Sequence, residues 1–500
     1  MTLHMRKNHR TATSVLITGL MAATLFTMPA AATAATATEP ATGDSLASAI
    51  EAQLDVNAPL PAAYAVVDGN EITFGGRQGA GPDTPFVVGS VSKSFTALAV
   101  MVAVDRGEIS LDARVTDYFP DFRLAGTVGG EPILIQHLLN HTSGISTTGC
   151  NLDAAIPGES LKDRVDQLQS VTPESEPGEQ FTYCNVGFAI LARVLEESSG
   201  RPFADVLQSS VLTPLGMAHT YTDMATAREN GLVEGHTTVV GFPVIRPENG
   251  VEAALADGYV MSTARDLATY AIFQMGDGKT SDGTQLISSD LLEEMHRGTV
   301  AVPGFEGTEQ ANYAMGWFTA DVNGTTIVNH GGTTPRYHAN VAMVPSEQLA
   351  VVDLVAGQWL SGAGSTSAGA VSLLMGQDAG VSQLYGIATA ALWLITLLLI
   401  LTIVVSWRRS RARTLNNRRP KAFSGPLLVI AGVALFAGLS LPGIQQTGSL
   451  LSAIQFGWEN TPDLIVLVLA WPLALVILGA RSIVERVRSR GRAPAGTAIA

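Results

Sequence analysis

Cysteine and lysine are the scarce residues of this 500-residue chain. Two cysteines cannot build a disulfide-framework fold or a four-thiolate metal site, so the core must rest on hydrophobic burial. Charged residues make up only 15%, and 30 basic against 44 acidic side chains leave a net charge of −14. That is the wrong sign for neutralising phosphates, which excludes nucleic acid as a natural partner. At 46% hydrophobic, the chain is also too apolar to be mainly disordered. The abundant component is aliphatic: a mean hydropathy of +0.25 is high for a soluble enzyme, so the question is where the apolar residues sit.

They concentrate at the two ends. Arg6, Lys7 and Arg10 precede an apolar stretch and the small-residue site Ala32-Thr33-Ala34, the order of a secretory signal peptide over residues 1–37, cleaved near 34 to 37. A retained N-terminal anchor is the competing reading, but the apolar run is short and rich in alanine. At the other end, residues 385–406 carry no charge over 22 positions, enough for a helix to cross the bilayer. Further spans are expected at 424–443 and 462–480, which contain Pro426 and Pro472. Seven basic residues from Arg408 to Lys421 follow the first span, and five from Arg481 to Arg492 follow the third, while the 444–461 loop has none. The positive-inside rule then makes the first loop and the 481–500 tail cytoplasmic and the preceding domain extracytoplasmic. Contact with anionic lipid headgroups explains the arginine run better than RNA does.

Between these ends, residues 41–381 hold 15 basic and 40 acidic side chains, so the exported domain is strongly acidic, which favours solubility. It opens with a predicted helix at SLASAIEAQLD. Two β-like runs follow, AAYAVVD and EITFGG, with Asp68-Gly69-Asn70 as a hairpin turn. A long helix is expected from Ser90 to about Arg106, with Phe95, Leu98, Met101 and Val102 at helical spacing. Residues 107–310 read as mostly helix and loop, and strands return at GWFTADV, TTIVNHG, HANVAMVP and LAVVDLVA. A helix-rich segment at 361–375 precedes a linker at 376–384. The pattern is one of a sheet built from both ends of the domain with a helical region inserted.

Arginine outnumbers lysine 25 to 5, yet one lysine stands where arginine could not serve. In GSVSKSFT, Lys93 lies three residues after Ser90, which puts amine and hydroxyl on one face of a first helical turn. An amine can be driven towards neutral, whereas a guanidinium cannot. The helix N-terminus adds positive potential and backbone N–H groups for an oxyanion. This is the arrangement of a serine nucleophile with an amine base, although an N-capping serine would give the same four letters. Tyr183 and Asn185 flank Cys184 just before another apolar helix and can point into one cleft. His330-Gly331-Gly332 ends a β-like run, where glycines let a substrate lie close to the strand edge.

With these three motifs in order, S-x-x-K, Y-x-N and H-x-G, the chain resembles the serine β-lactamase and penicillin-binding-protein-like superfamily, in its class C β-lactamase, DD-peptidase and esterase branch. LLNHTSG around His141 and GYVMSTARDLATYA around Ser262 add to the likeness. The resemblance implies an α/β (α+β) fold of the β-lactamase/transpeptidase type over residues 41–375. In that fold an antiparallel sheet is flanked by helices and joined to an all-helical region, and here three transmembrane helices would follow. It also implies that Ser90 attacks a carbonyl, Lys93 takes its proton and Tyr183 relays a proton to the leaving group. Which of Lys93 and Tyr183 is the primary base stays open. Asn185 would orient a substrate amide, His330 would face the substrate or its carboxylate, and the N–H groups of Ser90 and Thr333, just past Gly332, would form the oxyanion hole.

The chain departs from the family pattern at three places. H-x-G replaces the K-T-G usual in class C β-lactamases, which favours a DD-peptidase or esterase. Arg336 stands where a small residue is common, and would either bind a substrate carboxylate or sit in solvent. Cys184 occupies the middle of Y-x-N, and with Cys150 the only other cysteine, a disulfide between the two is expected. His137 and His141 are four apart, but the glutamate of a zinc-binding H-E-x-x-H is absent, so no metal and no cofactor are expected. The expectation is a multi-pass cell-membrane protein with an extracytoplasmic serine hydrolase acting on cell-wall peptides or esters. A β-lactamase, and a non-catalytic module that senses wall peptide, are the alternatives.

Overall fold

The computed structural model describes residues 42–56, 59–126, 132–150, 159–239, 242–248, 252–303, 311–322, 324–357 and 363–374, with scattered helical positions between 387 and 487. The expected signal peptide, the 376–384 linker and the 424–443 span lie outside the described residues, and the spans at 385–406 and 462–480 are described only in part. Among the described residues no helix is long and apolar enough to cross a membrane. The chain divides into two compact units, Met1–His236 with Ile245–Ser382, and Thr237–Val244 with Gln383–Ala500. The first unit carries the fold that follows.

Its main sheet has eight strands among the described residues: β1 (Ala62–Asp68), β2 (Glu71–Arg77), β3 (Val300–Ala301), β4 (Ala311–Ala314), β5 (Trp317–Val322), β6 (Thr325–Thr333), β7 (His338–Val344) and β8 (Leu349–Val355). Their spatial order is β2-β1-β8-β7-β6-β5-β4-β3, and neighbouring strands are antiparallel. The two termini of the domain therefore share one sheet, with β1 hydrogen-bonded along its length to β8. Gly69, at φ +60°, opens the two-residue turn between β1 and β2, a conformation that favours glycine. β3 and β4 were not legible in the sequence; β3 is two residues long, too short for alternation to register.

The helices that matter for the site are α1 (Gly43–Val56), α2 (Ser92–Asp105), α3 (Leu161–Asp166), α4 (Asn185–Ser199), α5 (Leu255–Gly258), α6 (Ala264–Gln274) and α7 (Ala363–Leu374). α1 and α7 cover one face of the sheet. On the other face Ala63, Ala65, Val67, Val341, Met343, Val352 and Leu354 join a core that runs into α2, α4 and α6. The alternation of β1, β7 and β8 decides this, since every second residue faces the same layer. α2 is the centre of the domain: every residue from Ser92 to Ala103 is buried, so the helix is enclosed on all sides. Its polar residues are spoken for. Ser92 Oγ accepts from Val260 N–H at 3.0 Å, and Thr96 Oγ1 donates to Ala256 O at 2.7 Å.

Candidate active site

Ser90 does not open α2. It lies in a 3-10 turn, Gly89–Val91, that runs directly into the helix. Gly89 has φ +55°, the left-handed conformation that lets the chain enter this turn, and Lys93 lies in the first turn of α2 three residues after Ser90. The consequence is a direct contact: Lys93 Nζ donates to Ser90 Oγ at 3.0 Å. Ser90 is partly exposed, while Lys93 has no accessible surface. A second bond, from Nζ to the backbone oxygen of Asp257 at 2.7 Å, holds the amine to α5.

Burial lowers the Lys93 pKa to about 7; the nearby Asp257 carboxylate opposes this and the Arg164 guanidinium adds to it. Those two groups are themselves a buried pair. Arg164, from α3, meets the Asp257 carboxylate at 2.6 Å and 3.1 Å through its two terminal nitrogens and also donates to Ala253 O at 2.8 Å. The pair ties α3 to α5, so the carbonyl that orients Lys93 is anchored by an ion pair whose members are 93 residues apart. Neither residue belongs to a recognisable motif, and no local pattern marks them in the sequence.

Tyr183 borders the amine from above, with Lys93 Nζ 4.9 Å from its ring centre. The ring is partly exposed but its hydroxyl is shielded. Burial raises its pKa, and the nearby Ser90 only partly offsets this, without a completed hydrogen bond between the two. The phenol therefore stays protonated at neutral pH, where the amine is close to half neutral. Asn185 stands partly exposed as the first residue of α4.

Cys150 and Cys184 form a disulfide with a Cα–Cα distance of 4.3 Å. Cys184 N–H also donates to Nδ1 of His141 at 3.0 Å, so the Tyr183–Asn185 segment is held by a covalent bond and a buried imidazole. His141 is fully buried, with its ring 4.3 Å from that of Tyr183 and 4.5 Å from that of Tyr313. His137 accepts from Leu134 N–H at 3.2 Å, so the two histidines serve different backbone segments.

His330 pairs across the strands with Val341 and so lies on the α2 side of the sheet, where it has no accessible surface; it packs beside Phe318 and Tyr313, with its ring 6.4 Å from that of Tyr183. Its Nε2 contacts Tyr313 Oη at 3.3 Å and its Nδ1 contacts Gly331 O at 2.7 Å. Burial, with Lys93 adding to it, lowers its pKa to about 3, so it is a neutral group and brings no cation to a carboxylate. Arg336 is neither solvent-exposed nor free for a ligand: it pairs with the buried Glu248 at 3.1 Å. Thr334 Oγ1 meets the same carboxylate at 3.3 Å.

The end of β6 is pressed against the Ser90 turn. A Cβ on Gly332 would lie 1.9 Å from Val88 O and 2.8 Å from Ser90 N, and one on Gly89 would lie 2.5 Å from Thr333 N. Only glycine at both positions permits this approach. The Gly332–Thr333 backbone is therefore held directly against the Gly89–Ser90 turn, the close approach that an oxyanion site built from the N–H groups of Ser90 and Thr333 would need.

The family model described as "Beta-lactamase" matches residues 46–360. Penicillin-binding protein 4 of Amycolatopsis lactamdurans is 30% identical over 281 residues, which cover 55% of this chain and 73% of that protein. Protein flp of Staphylococcus aureus (strain N315) is 26% identical over 277 residues, 55% of this chain and 53% of its own, so the chain spans about half the length of that relative. Among solved structures, the octameric penicillin-binding protein homologue from Pyrococcus abyssi superimposes with a TM-score of 0.59 at 24% identity, covering 67% of this chain and 78% of that one. That likeness is one of fold.

Proposed function

This chain belongs to the β-lactamase family, and from that premise we propose that it is a membrane-anchored, extracytoplasmic serine hydrolase that works through a Ser90 acyl-enzyme. The observation that carries the reading is the 3.0 Å bond between Ser90 Oγ and a buried lysine whose pKa is lowered to about 7. Neutral Lys93 takes the Ser90 proton as Oγ attacks a substrate carbonyl. The negative charge that develops on the carbonyl oxygen is met by the N–H groups of Ser90 and Thr333. Tyr183, kept protonated by burial, passes its proton to the leaving group and recovers one from the Lys93 ammonium. Asn185, at the start of α4, orients the substrate amide. Water then repeats the sequence on the ester carbonyl and frees Ser90. Among the two candidates for the primary base, the opposite shifts of Lys93 and Tyr183 favour the lysine.

D-amino-acid peptides of the cell-wall type, or esters, are the proposed substrates. The relationship to a penicillin-binding protein supports the first, and the expected export and C-terminal spans would put the site beside the wall. The second has support in the H-x-G motif, which puts a neutral His330 where K-T-G would carry a lysine. Turnover of a D-Ala-D-Ala peptide, a chromogenic ester and nitrocefin by the full-length protein and a Ser90→Ala variant tests the reading. Ser90-dependent cleavage of the peptide or the ester supports it. Cleavage of nitrocefin alone would replace it with a β-lactamase, and binding of peptide without turnover of any of the three would replace it with a sensing module.

A further inference from the structure

On the face of the sheet covered by α1 and α7 lies a buried polar chain that the proposed chemistry does not use. Asp353 on β8 is 1% exposed. Its carboxylate accepts from Ser367 Oγ of α7 at 2.5 Å and from its cross-strand partner Asn340 on β7 at 3.1 Å. Ser367 Oγ in turn meets His338 Nε2 at 2.9 Å, and His338 Nδ1 meets Thr333 Oγ1 at 3.0 Å. Five side chains from four elements are thereby linked, from beneath the sheet to the residue beside the Ser90 turn.

The donors run in one sense. Burial lowers the His338 pKa to about 4, so the ring is neutral and carries a single proton. With that proton on Nε2, His338 donates to Ser367, Ser367 donates to Asp353, and Nδ1 is left to accept from the Thr333 hydroxyl. An unpaired carboxyl in this layer would be costly, and burial does push the Asp353 pKa up to about 7. The chain satisfies it and delivers the effect at Thr333. That residue needs an anchor: β5 pairs with β6 only as far as Asn329, so Thr333 is held in the ladder by β7 alone, opposite His338.

We propose that Asp353, Ser367 and His338 are positioning residues for the oxyanion site, holding the end of β6, through the Thr333 hydroxyl, at the distance from Ser90 that the tetrahedral intermediate requires. The inference rests on the Ser90 acyl-enzyme reading and adds to it the group that sets the second oxyanion donor. Thr333→Val removes the hydroxyl that bonds His338 and keeps both shape and backbone N–H. Ser367→Ala breaks the next link, and Ser367→Thr keeps it.

The measurements are kcat and KM of the full-length protein on a chromogenic ester, together with the inhibition constant of a boronic acid that forms a tetrahedral adduct on Ser90. Both broken variants should lose about 5- to 50-fold in kcat and a similar factor in boronate affinity, since a displaced donor costs part of what a deleted one does. KM should stay within about twofold, and Ser367→Thr should behave as wild type. Wild-type kcat and boronate affinity in Thr333→Val would overturn the proposal and leave the Ser90 reading standing. A wild-type chain that binds no boronate and forms no Ser90 adduct would overturn both.

Discussion

Lys93 aims its amine at the backbone oxygen of Asp257, 2.7 Å away, while the carboxylate of the same Asp257 grips Arg164 at 2.6 Å. One residue thus orients the base with its main chain and sets the local charge balance with its side chain. The acid limb of kcat/KM should therefore have its midpoint near pH 7, with activity rising as Lys93 loses its proton. Replacing Arg164 by methionine removes a cation that lowers the Lys93 pKa and leaves the Asp257 carboxylate unpaired beside it. Both changes favour the ammonium, so the limb should move to higher pH, as a pH–rate profile would show. An unmoved limb in a folded variant would mean that Lys93 does not feel the pair.

A buried amine should cost stability. The folded pKa of about 7 lies below the unfolded lysine value of about 10.4, so the unfolded chain binds more protons between these limits and stability rises with pH across them. Lys93→Met should raise Tm at pH 7 by about 2–6 °C, the gain fading above about pH 10, while acylation falls at least about 10³-fold. Calorimetry at the two pH values checks the first part and stopped-flow acylation the second.

The disulfide joins residues 34 apart and ends one position from Tyr183. In the chain-entropy account a loop of that size contributes roughly 3–4 kcal/mol. Replacing both cysteines by serine should lower the urea midpoint accordingly. If the bond also positions the phenol, kcat should fall more than KM changes, and steady-state kinetics on the double variant would show it.

Gly332→Ala should be close to inactive, because its Cβ would sit 1.9 Å from Val88 O and force β6 away from the Ser90 turn. A loss of about 10²-fold or more in kcat/KM with the fold intact by circular dichroism is expected. Near-normal activity would contradict the close approach on which the oxyanion site depends.

The elements that build the site were legible where they are long or carry a motif. β1, β2, β5, β6, β7 and β8 read as short β-like runs, most of them bounded by turn residues, and the spacing of Ser90 and Lys93 places hydroxyl and amine together. What the sequence concealed depends on partners distant along the chain. Arg164 and Asp257 meet across 93 residues, and Asp353 reaches Thr333 only through a serine of α7 and a histidine of β7. The motif puts His330 on the site side of the sheet, but its complete burial comes from Tyr313 and Phe318, rings on two other strands that no local pattern announces. Arg336 read as a surface or cleft residue because Glu248, its partner, is 88 positions away.

The central claim is that Ser90 is the nucleophile and Lys93 its base. The most direct measurement is intact-mass and peptide-mapping spectrometry of the full-length protein after reaction with a fluorophosphonate, in wild type, Ser90→Ala and Lys93→Met. The account predicts one adduct, on Ser90, in the wild type. It predicts none in Ser90→Ala, and in Lys93→Met formation slowed by at least about 10²-fold. An adduct on another serine, or undiminished labelling without Lys93, would contradict it.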